Sequence, residues 1–547
     1  MTESPTTECY PASVAPGLSR LFVDFCSSEP AVRAFYASLP AEDGWPQRPP
    51  VPGHWPELVR HLAAQNASAA AQPSLAALAE GAGVVVTGQQ VGLFGGPLFT
   101  PFKAATAIAH ARQAGAAGRP HVAVFWLAAE DHDFAEVNQV TFPAGRELRT
   151  LVYESAPDAP RPVGGIVLDE SILPLVEQAK DLLGPEDSVA ALLEAYQPGR
   201  TLAEAFAAFY ARAFAAQGLL VLDASGREFH RLGAPVLRAA LERADEFHAA
   251  LLERNQALEA AGYHAQVAVA PQSSLLFLID EKTEAEKTGA RVALKRTAPT
   301  AAEPQGLWQA GQQSYSTADL IGILDAEPER ISPSALLRPV FQDFLLSSSQ
   351  IIGGPAEIAY FAQSAILYER ILGRQTPAAP RFSATLIEPS VGELLRRHEL
   401  ALDRLWNLEG AEDAASLSRL LAARSMPIET KQKLASAGNA LDEELTTLVD
   451  WMQSQDKGLG QSAETAASKI RYQMNRLRTL AANFQLQREA SLTRHADAIS
   501  QALFPGGTLQ ERVHGAAYYF ARYGLELAET YCEQAGDGCP GHKAIWL

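Results

Sequence analysis

The stretch VVVTGQQVGLFGGPLFTPFKA, residues 84–104, leads from a β-branched apolar run through a turn carrying Gly88, Gly92, Gly95 and Gly96 into a segment with apolar residues at helical spacing. Just beyond it, HVAVFWLAAED is a second apolar run that ends in acids. Continuous apolar strands separated by a helix mark a βαβ unit, whose parallel sheet is covered on both faces. The stretch therefore predicts the first half of a Rossmann-like α/β core. Its turn gathers bare backbone N–H groups and the positive end of a helix at one point, which suits an anion. The glycine spacing, however, is neither G-x-G-x-x-G nor G-x-x-x-x-G-K-[ST]. Phosphate or carboxylate binding and a plain corner in the fold both stand at this stage.

The chain has 547 residues, more than one growing core accommodates, so further units are expected. Hydrophobic residues at 47% and charged residues at 20% are ordinary for a globular chain. Lys+Arg 45 against Asp+Glu 63 gives a net charge of −18, which repels a nucleic-acid backbone; no nucleic-acid partner is expected. The first residues carry no basic and apolar signal segment, and no run is apolar enough to span a membrane. Four cysteines in so long a chain suggest a reducing compartment, and a cytoplasmic location is the expectation. Cys532, Cys539 and His542 lie close in sequence, but their spacing is not that of a common zinc site and a fourth ligand is missing, so no metal is predicted.

Further strands are expected around residues 218–225, 349–355 and 383–389, and a hairpin is expected from AQVAVAP (265–271) and SLLFLID (274–280), with DEKTEAEKTGAR as an exposed loop after it. Beyond Pro389 the composition turns to Leu, Ala, Glu, Gln and Arg. There Leu434, Leu441, Leu445, Leu448 and Met452, and then Ile470, Met474, Leu477, Ala481 and Phe484, keep a heptad-like spacing. The expected layout is a core over residues 1–388 with insertions at about 145–215 and 262–315, an antiparallel coiled-coil arm over 389–503, and a segment 504–547 that returns to the core. The arm's stripe asks for a partner, and a homodimer is expected.

Three segments carry candidate chemistry. In the first, Gln89, Gln90, Thr100 and Lys103 accompany the glycine turn at the strand end where open α/β sheets bind ligands. In the second, AAEDHDFAEVNQV, His132 stands between Asp131 and Asp133, with Glu130 and Glu136 alongside as binding residues. Acids beside an imidazole raise its pKa and fix its tautomer, which suits a general base. In the third, RPVFQDFLLSSSQIIGGPAEIAYFAQ, Gly353 and Gly354 open a helix bearing Glu357 and Tyr360, and Gln342 and Asp343 are polar in an apolar context, as residues meeting a ligand would be. Neither a G-x-S-x-G elbow nor a cysteine beside a base is present, so covalent hydrolysis is set aside.

TGQQVGLFGGPLFTPFKA, FWLAAEDHDFAEVNQV, GYHAQV, RPVFQDFL, IGGPAEIAYFAQ and LFPGGTLQERVHG, in this order, resemble the BshC family, the cysteine-adding ligases of bacillithiol biosynthesis. The resemblance runs over nearly the whole chain. It implies a Rossmann-like core with inserted connecting segments, laid out like a class I aminoacyl-tRNA synthetase, and a coiled-coil arm that pairs two subunits. It further implies a reaction joining the carboxyl group of L-cysteine to the 2-amino group of glucosaminyl-malate, with ATP as the activator to consider. The synthetase motifs H-I-G-H and K-M-S-K-S are missing, so the usual synthetase residues for adenylate chemistry are not in place, and an acyl-adenylate and an acyl-phosphate both stand as the activated form. On this reading His132, poised by Asp131 and Asp133, takes the amine proton, while Gln89, Gln90, Lys103 and the two Gly-Gly turns hold carboxylate or phosphate. Two other classes compete: another carboxylate-activating nucleotidyltransferase or ligase on this fold, and a non-catalytic dimeric scaffold that binds a metabolite.

Overall fold

The computed structural model describes residues 6–40, 48–145, 147–185, 187–280, 289–297, 306–408 and 414–547. In chain order, the elements that position the site are β1 (Thr6–Tyr10), β2 (Gly83–Gln89), α1 (Phe99–Ala116), β3 (His121–Leu127), β4 (Leu220–Asp223), α2 (Arg338–Leu346), β5 (Gln350–Gly353), α3 (Pro355–Leu372), β6 (Ala378–Pro380), β7 (Ala384–Ile387), α4 (Ile428–Gln455), α5 (Lys457–Arg488) and β8 (His542–Trp546). The central sheet is parallel, in the order β6-β5-β2-β3-β4. Successive strand residues face opposite sides, and both sides of β2 are covered. Val84 and Val86 enter one hydrophobic core, while Val85 enters the other together with α1. β2 has its sequence successor β3 on one side and β5 on the other, so strand order reverses at its C-terminal end, where the glycine turn begins.

The insertion after α1 and β3 forms a hairpin (Gln139–Ala144 with Glu147–Val152) and helices that cover the second core. A second insertion is an antiparallel sheet in the order Gln313–Tyr315, Trp308–Ala310, Arg291–Arg296, Ser273–Ile279, Ile331–Pro333. The expected hairpin is corrected here. Ser273–Ile279 pairs with Arg291–Arg296, not with residues 265–271. The backbone of Val267 is taken by a side chain instead: its N–H donates to Gln363 Oε1 and its carbonyl accepts from Gln363 Nε2, each at 2.9 Å. Most of the loop expected after this strand, residues 281–288, lies outside the described residues.

A third sheet joins the two ends of the chain: β8 runs antiparallel to β1 and parallel to β7. Residues 504–547 thus pack on the core, with Tyr519, Phe520 and Tyr531 in the same hydrophobic cluster as Phe102 of α1. The arm is the antiparallel pair α4 and α5, which turns at Asp456, whose side chain accepts the Leu459 N–H at 2.9 Å. Leu445, Val449 and Ala467 meet between the two helices. Among the described residues no helix is long and apolar enough to cross a membrane.

Although the low cysteine count suggests a reducing compartment, Cys9 and Cys539 form a disulfide across 530 residues of sequence. The polar, exposed β1 gives no periodic signal, so the strand pairing that brings Cys9 to the C-terminal segment was not visible in the sequence. The bond also takes Cys539 out of the Cys532, Cys539, His542 group. Cys532 is buried and unbonded, and both ring nitrogens of His542 are hydrogen-bonded, to Ser383 Oγ and Thr385 Oγ1 at 2.8 Å each.

Candidate active site

At the C-terminal ends of β2 and β3 a cleft of about 590 Å³ opens between the glycine turn, the start of α3, α2 and the C-terminal segment. It brings together Gln89, Gln90, Gly96, Lys103, Asp131, Glu136, Gln342, Gly354, Glu357 and Tyr360 from all three candidate segments. Gly95, Thr100, Glu130, His132, Asp133, Asp343 and Gly353 do not line it.

The glycine turn is a corner more than a cradle, which corrects the anion reading of Gly95 and Gly96. The Gly95 N–H donates to Tyr196 Oη at 3.0 Å, and its carbonyl accepts from Tyr210 Oη at 2.6 Å. The Gly96 N–H is bound to Leu93 O, that of Leu98 to His514 O and that of Thr100 to Pro97 O. Gly95 has φ +84°, and a Cβ there would lie 2.5 Å from the Phe209 ring, so the turn needs glycine for its own packing. Thr100 is buried beneath it. Across the cleft the Gly354 N–H donates to Glu357 Oε2 at 2.7 Å, which caps α3, and Gly353 O accepts from Arg381 N. Lys103 ties the two turns together: it is ion-paired with Glu357 and donates to Gly88 O and Gln89 Oε1 at 2.8 Å each. Burial lowers the Lys103 pKa, with Glu357 opposing. These groups are satisfied internally and do not fit a nucleotide triphosphate as a phosphate loop would.

The acid-rich segment divides by depth. Burial by itself would make the Asp131 carboxyl more basic. Arg338, the His132 backbone N–H at 2.7 Å, Arg291 and Gln90 Nε2 at 2.8 Å together hold it below its ordinary value, so it faces the cleft as a carboxylate. Gln90 Nε2 also donates to Glu136 Oε2 at 2.8 Å. His132 differs from expectation. Its Nδ1 lies 2.9 Å from Arg291 Nη1, and arginine only donates, so Nδ1 accepts and the ring proton of neutral His132 sits on Nε2. Asp131 Oδ1 is 3.7 Å from that same nitrogen. Asp133 does not flank the imidazole; it caps residues 134–137 through the Glu136 N–H. This geometry removes the base reading of His132 at Nδ1.

Glu130 sits behind the cleft wall, 3.1 Å from His230 Nε2. Burial pushes each toward neutrality, yet their mutual pairing, with Arg291 nearby, holds Glu130 below and His230 above its ordinary value. His230 Nδ1 faces the carbonyls of Pro328 and Ile331 at 3.1 Å, which completes a doubly protonated ring. Asp343 likewise turns away from the cleft: it pairs with Arg374 at 2.5 Å and accepts the Ser348 N–H at 2.7 Å, which corrects its reading as a ligand contact. Its neighbour Gln342 does face the cleft, and Gln342 Nε2 is buried with no hydrogen-bond partner among the described residues. A buried unpaired donor is costly, and a ligand acceptor in the cleft would satisfy it.

Sequence reasoning missed three cations that line the cleft, Arg338, Arg381 and Arg512, together with Trp126 and Phe99. Arg381 is held by a buried ion pair with Glu511 at 2.5 Å. Arg338 is half-buried; desolvation pulls its pKa down, but Tyr360, Asp131 and Glu357 raise it overall. Arg512 is exposed; partial desolvation and Arg381 lower its pKa against Glu511, and no ion pair of its side chain is present among the described residues. The arrangement offers one ionised carboxylate, cationic positions for an anionic ligand and an unpaired amide donor. Among the described residues, no group of three or more His, Cys, Asp or Glu is gathered to hold a metal ion.

A Rossmann-like core with a ligand cleft at its strand ends, joined to a coiled-coil arm, defines the class. The sequence model described as Bacillithiol biosynthesis BshC, N-terminal Rossmann-like domain, matches residues 6–382, and that described as the BshC C-terminal coiled-coil domain matches residues 384–545. A Koribacter versatilis protein provisionally named cysteine ligase BshC is 39% identical over 98% of this chain and 99% of its own length. A Solibacter usitatus protein of the same name is 32% identical over 98% and 99%. The chain belongs to the BshC family of bacillithiol biosynthesis. Among solved structures, a Thermus thermophilus arginyl-tRNA synthetase aligns over 97% of this chain and 95% of its own at 12% identity with a TM-score of 0.20, too low to bear on the fold.

Proposed function

We propose that the protein is a carbon–nitrogen ligase that joins the carboxyl group of L-cysteine to the 2-amino group of glucosaminyl-malate, giving bacillithiol in the cytoplasm. The observation that carries this reading is the cleft, which an ionised Asp131 lines together with the cationic Arg338 and Arg512. Glucosaminyl-malate presents both an amine, which must lose a proton as it attacks, and carboxylates, which need cations. Asp131 is the proposed proton acceptor; Arg338 and Arg512 are the proposed carboxylate holders, with Gln342 donating to a sugar or carboxyl oxygen. His132 then acts as a positioning residue through its backbone N–H on Asp131. An amide forms from a carboxylate only after activation, for which ATP is the proposed source.

A homodimer through the arm is part of the proposal. Leu448, Trp451, Tyr472, Leu477, Leu480 and Phe484 are all at least 48% exposed on α4 and α5, a load of apolar surface that suits a second copy. The enzyme assay is direct: incubate the purified chain with both substrates, with and without ATP, and read bacillithiol by mass spectrometry. Product supports the reading. Binding of both substrates without product under any condition removes it and leaves a metabolite-binding scaffold.

A further inference from the structure

The four cysteines divide into two kinds. Cys26 and Cys532 are buried, and burial pushes each thiol up to about 12, which leaves them inert. Cys9 and Cys539 are bonded to each other, with Cys9 exposed on β1 and Cys539 half-buried in the loop before β8. We propose that the Cys9–Cys539 bond is a thiol–disulfide exchange site for small free thiols, and that its state clamps or releases the segment 534–541, the end of the helix Leu527–Ala535 and the loop after it. The inference rests on this geometry and not on the proposed ligase reaction.

The loop is built to be clamped from outside. Beneath it, Lys543, the register partner of Cys9, is 2% exposed; it is ion-paired with Asp537 and donates to Gln534 O. The Cys539 N–H returns to Asp537 Oδ1 at 3.2 Å, and Thr7 Oγ1 donates to Gln534 Oε1 at 3.1 Å. One covalent bond therefore closes a loop otherwise pinned by a few polar contacts. The same loop walls a cavity of about 600 Å³ with Thr106 and His110 of α1 and with Arg381, and Arg381 also lines the cleft. Release of the loop thus opens a chamber that shares a side chain with the site.

The chemistry balances. A thiolate attacks the Cys9 sulfur, the more accessible residue of the two; the S–S electron pair leaves with Cys539, which takes a proton from water, and Cys9 holds the mixed disulfide. A second thiolate attacks that disulfide, releasing Cys9 and a small-molecule disulfide. The protein bond is reduced and two thiols are oxidised.

The test uses the full chain and glutathione as the probe. The protein is air-oxidised, exposed to oxidised or reduced glutathione, alkylated under native conditions and mapped by mass spectrometry, with amide exchange followed in parallel. The expected result is alkylation of Cys9 and Cys539 only after reduced glutathione, a glutathione adduct on Cys9 at limiting reagent, and Cys26 and Cys532 unlabelled throughout. Exchange over residues 534–541 is expected to quicken by about tenfold or more on reduction, to the level of a Cys9→Ser, Cys539→Ser double variant, while β2 and β3 stay protected. Labelling of both residues after air oxidation without any reductant would overturn the proposal, as would equal loop exchange in the oxidised and reduced protein. Because the double variant keeps no bond to lose, a protected loop in that variant, with β2 and β3 also protected, counts against the clamp as well.

Discussion

At the scale of single residues, the cleft assigns different work to neighbours that look alike in sequence. AEDHD reads as an imidazole flanked by acids, yet only Asp131 turns its charge into the cleft; Glu130 pairs with His230 behind it and Asp133 caps a turn. Asp131→Asn keeps the shape and removes the proposed base, so we expect kcat to fall by about 10²-fold or more with KM little changed. His132→Gln keeps the backbone N–H that orients Asp131 and should cost less than about tenfold. If the two losses are reversed in steady-state kinetics, His132 is the base after all. Arg512→Gln removes a charge-assisted contact worth about 1.5–3 kcal/mol, which should raise KM for the carboxylate-bearing substrate by tenfold or more. Gln89, Gln90 and Asp131 were legible because they follow apolar strands directly. The arginines were not, since Arg338 opens a helix and Arg512 arrives from a C-terminal segment that only the third sheet brings back.

At the scale of elements, the βαβ unit was readable because its strands are buried on both faces and so run apolar without interruption. Residues 265–271 alternate like a strand and misled the reading, since the backbone of Val267 is taken by a side chain from α3 instead of a neighbouring strand. The glycine turn raised a question of binding that packing answers. Gly95→Ala drives a methyl into Phe209 at a positive φ and should destabilise the protein by about 1–3 kcal/mol in urea unfolding; a purely ligand-binding turn would leave the midpoint unchanged. The C-terminal segment carries its own pH response. His514 and His542 are buried and lowered to about 4 from the ordinary 6.5. The folded state then binds fewer protons than the unfolded chain between those values, so their stabilisation is present above pH 6.5 and is lost as pH falls toward 4. A melting series across that window should show Tm falling steadily, and a flat profile would contradict the neutral buried rings.

At the scale of the whole molecule, the two ends of the chain close one sheet, α4 and α5 project as an arm, and the cleft draws on residues from position 88 to position 512. The arm's apolar residues were visible as a repeat, but which of them face the mate and which face outward depends on where the two helices cross, and sequence spacing does not carry that. Replacing Leu477 and Leu480 by Glu should convert a dimer to a monomer in light scattering while leaving the core's melting transition in place. In the proposed reaction the cleft makes an amide with Asp131 as proton acceptor. The most direct measurement is bacillithiol formation from L-cysteine and glucosaminyl-malate, followed by mass spectrometry for the wild-type chain and Asp131→Asn side by side, with ATP present. Product is expected from the wild type, with a rate lower by about 10²-fold or more in the equally folded variant; equal rates in the two proteins, or no product from either, would rule out Asp131 as the proton acceptor of an amide-forming cleft.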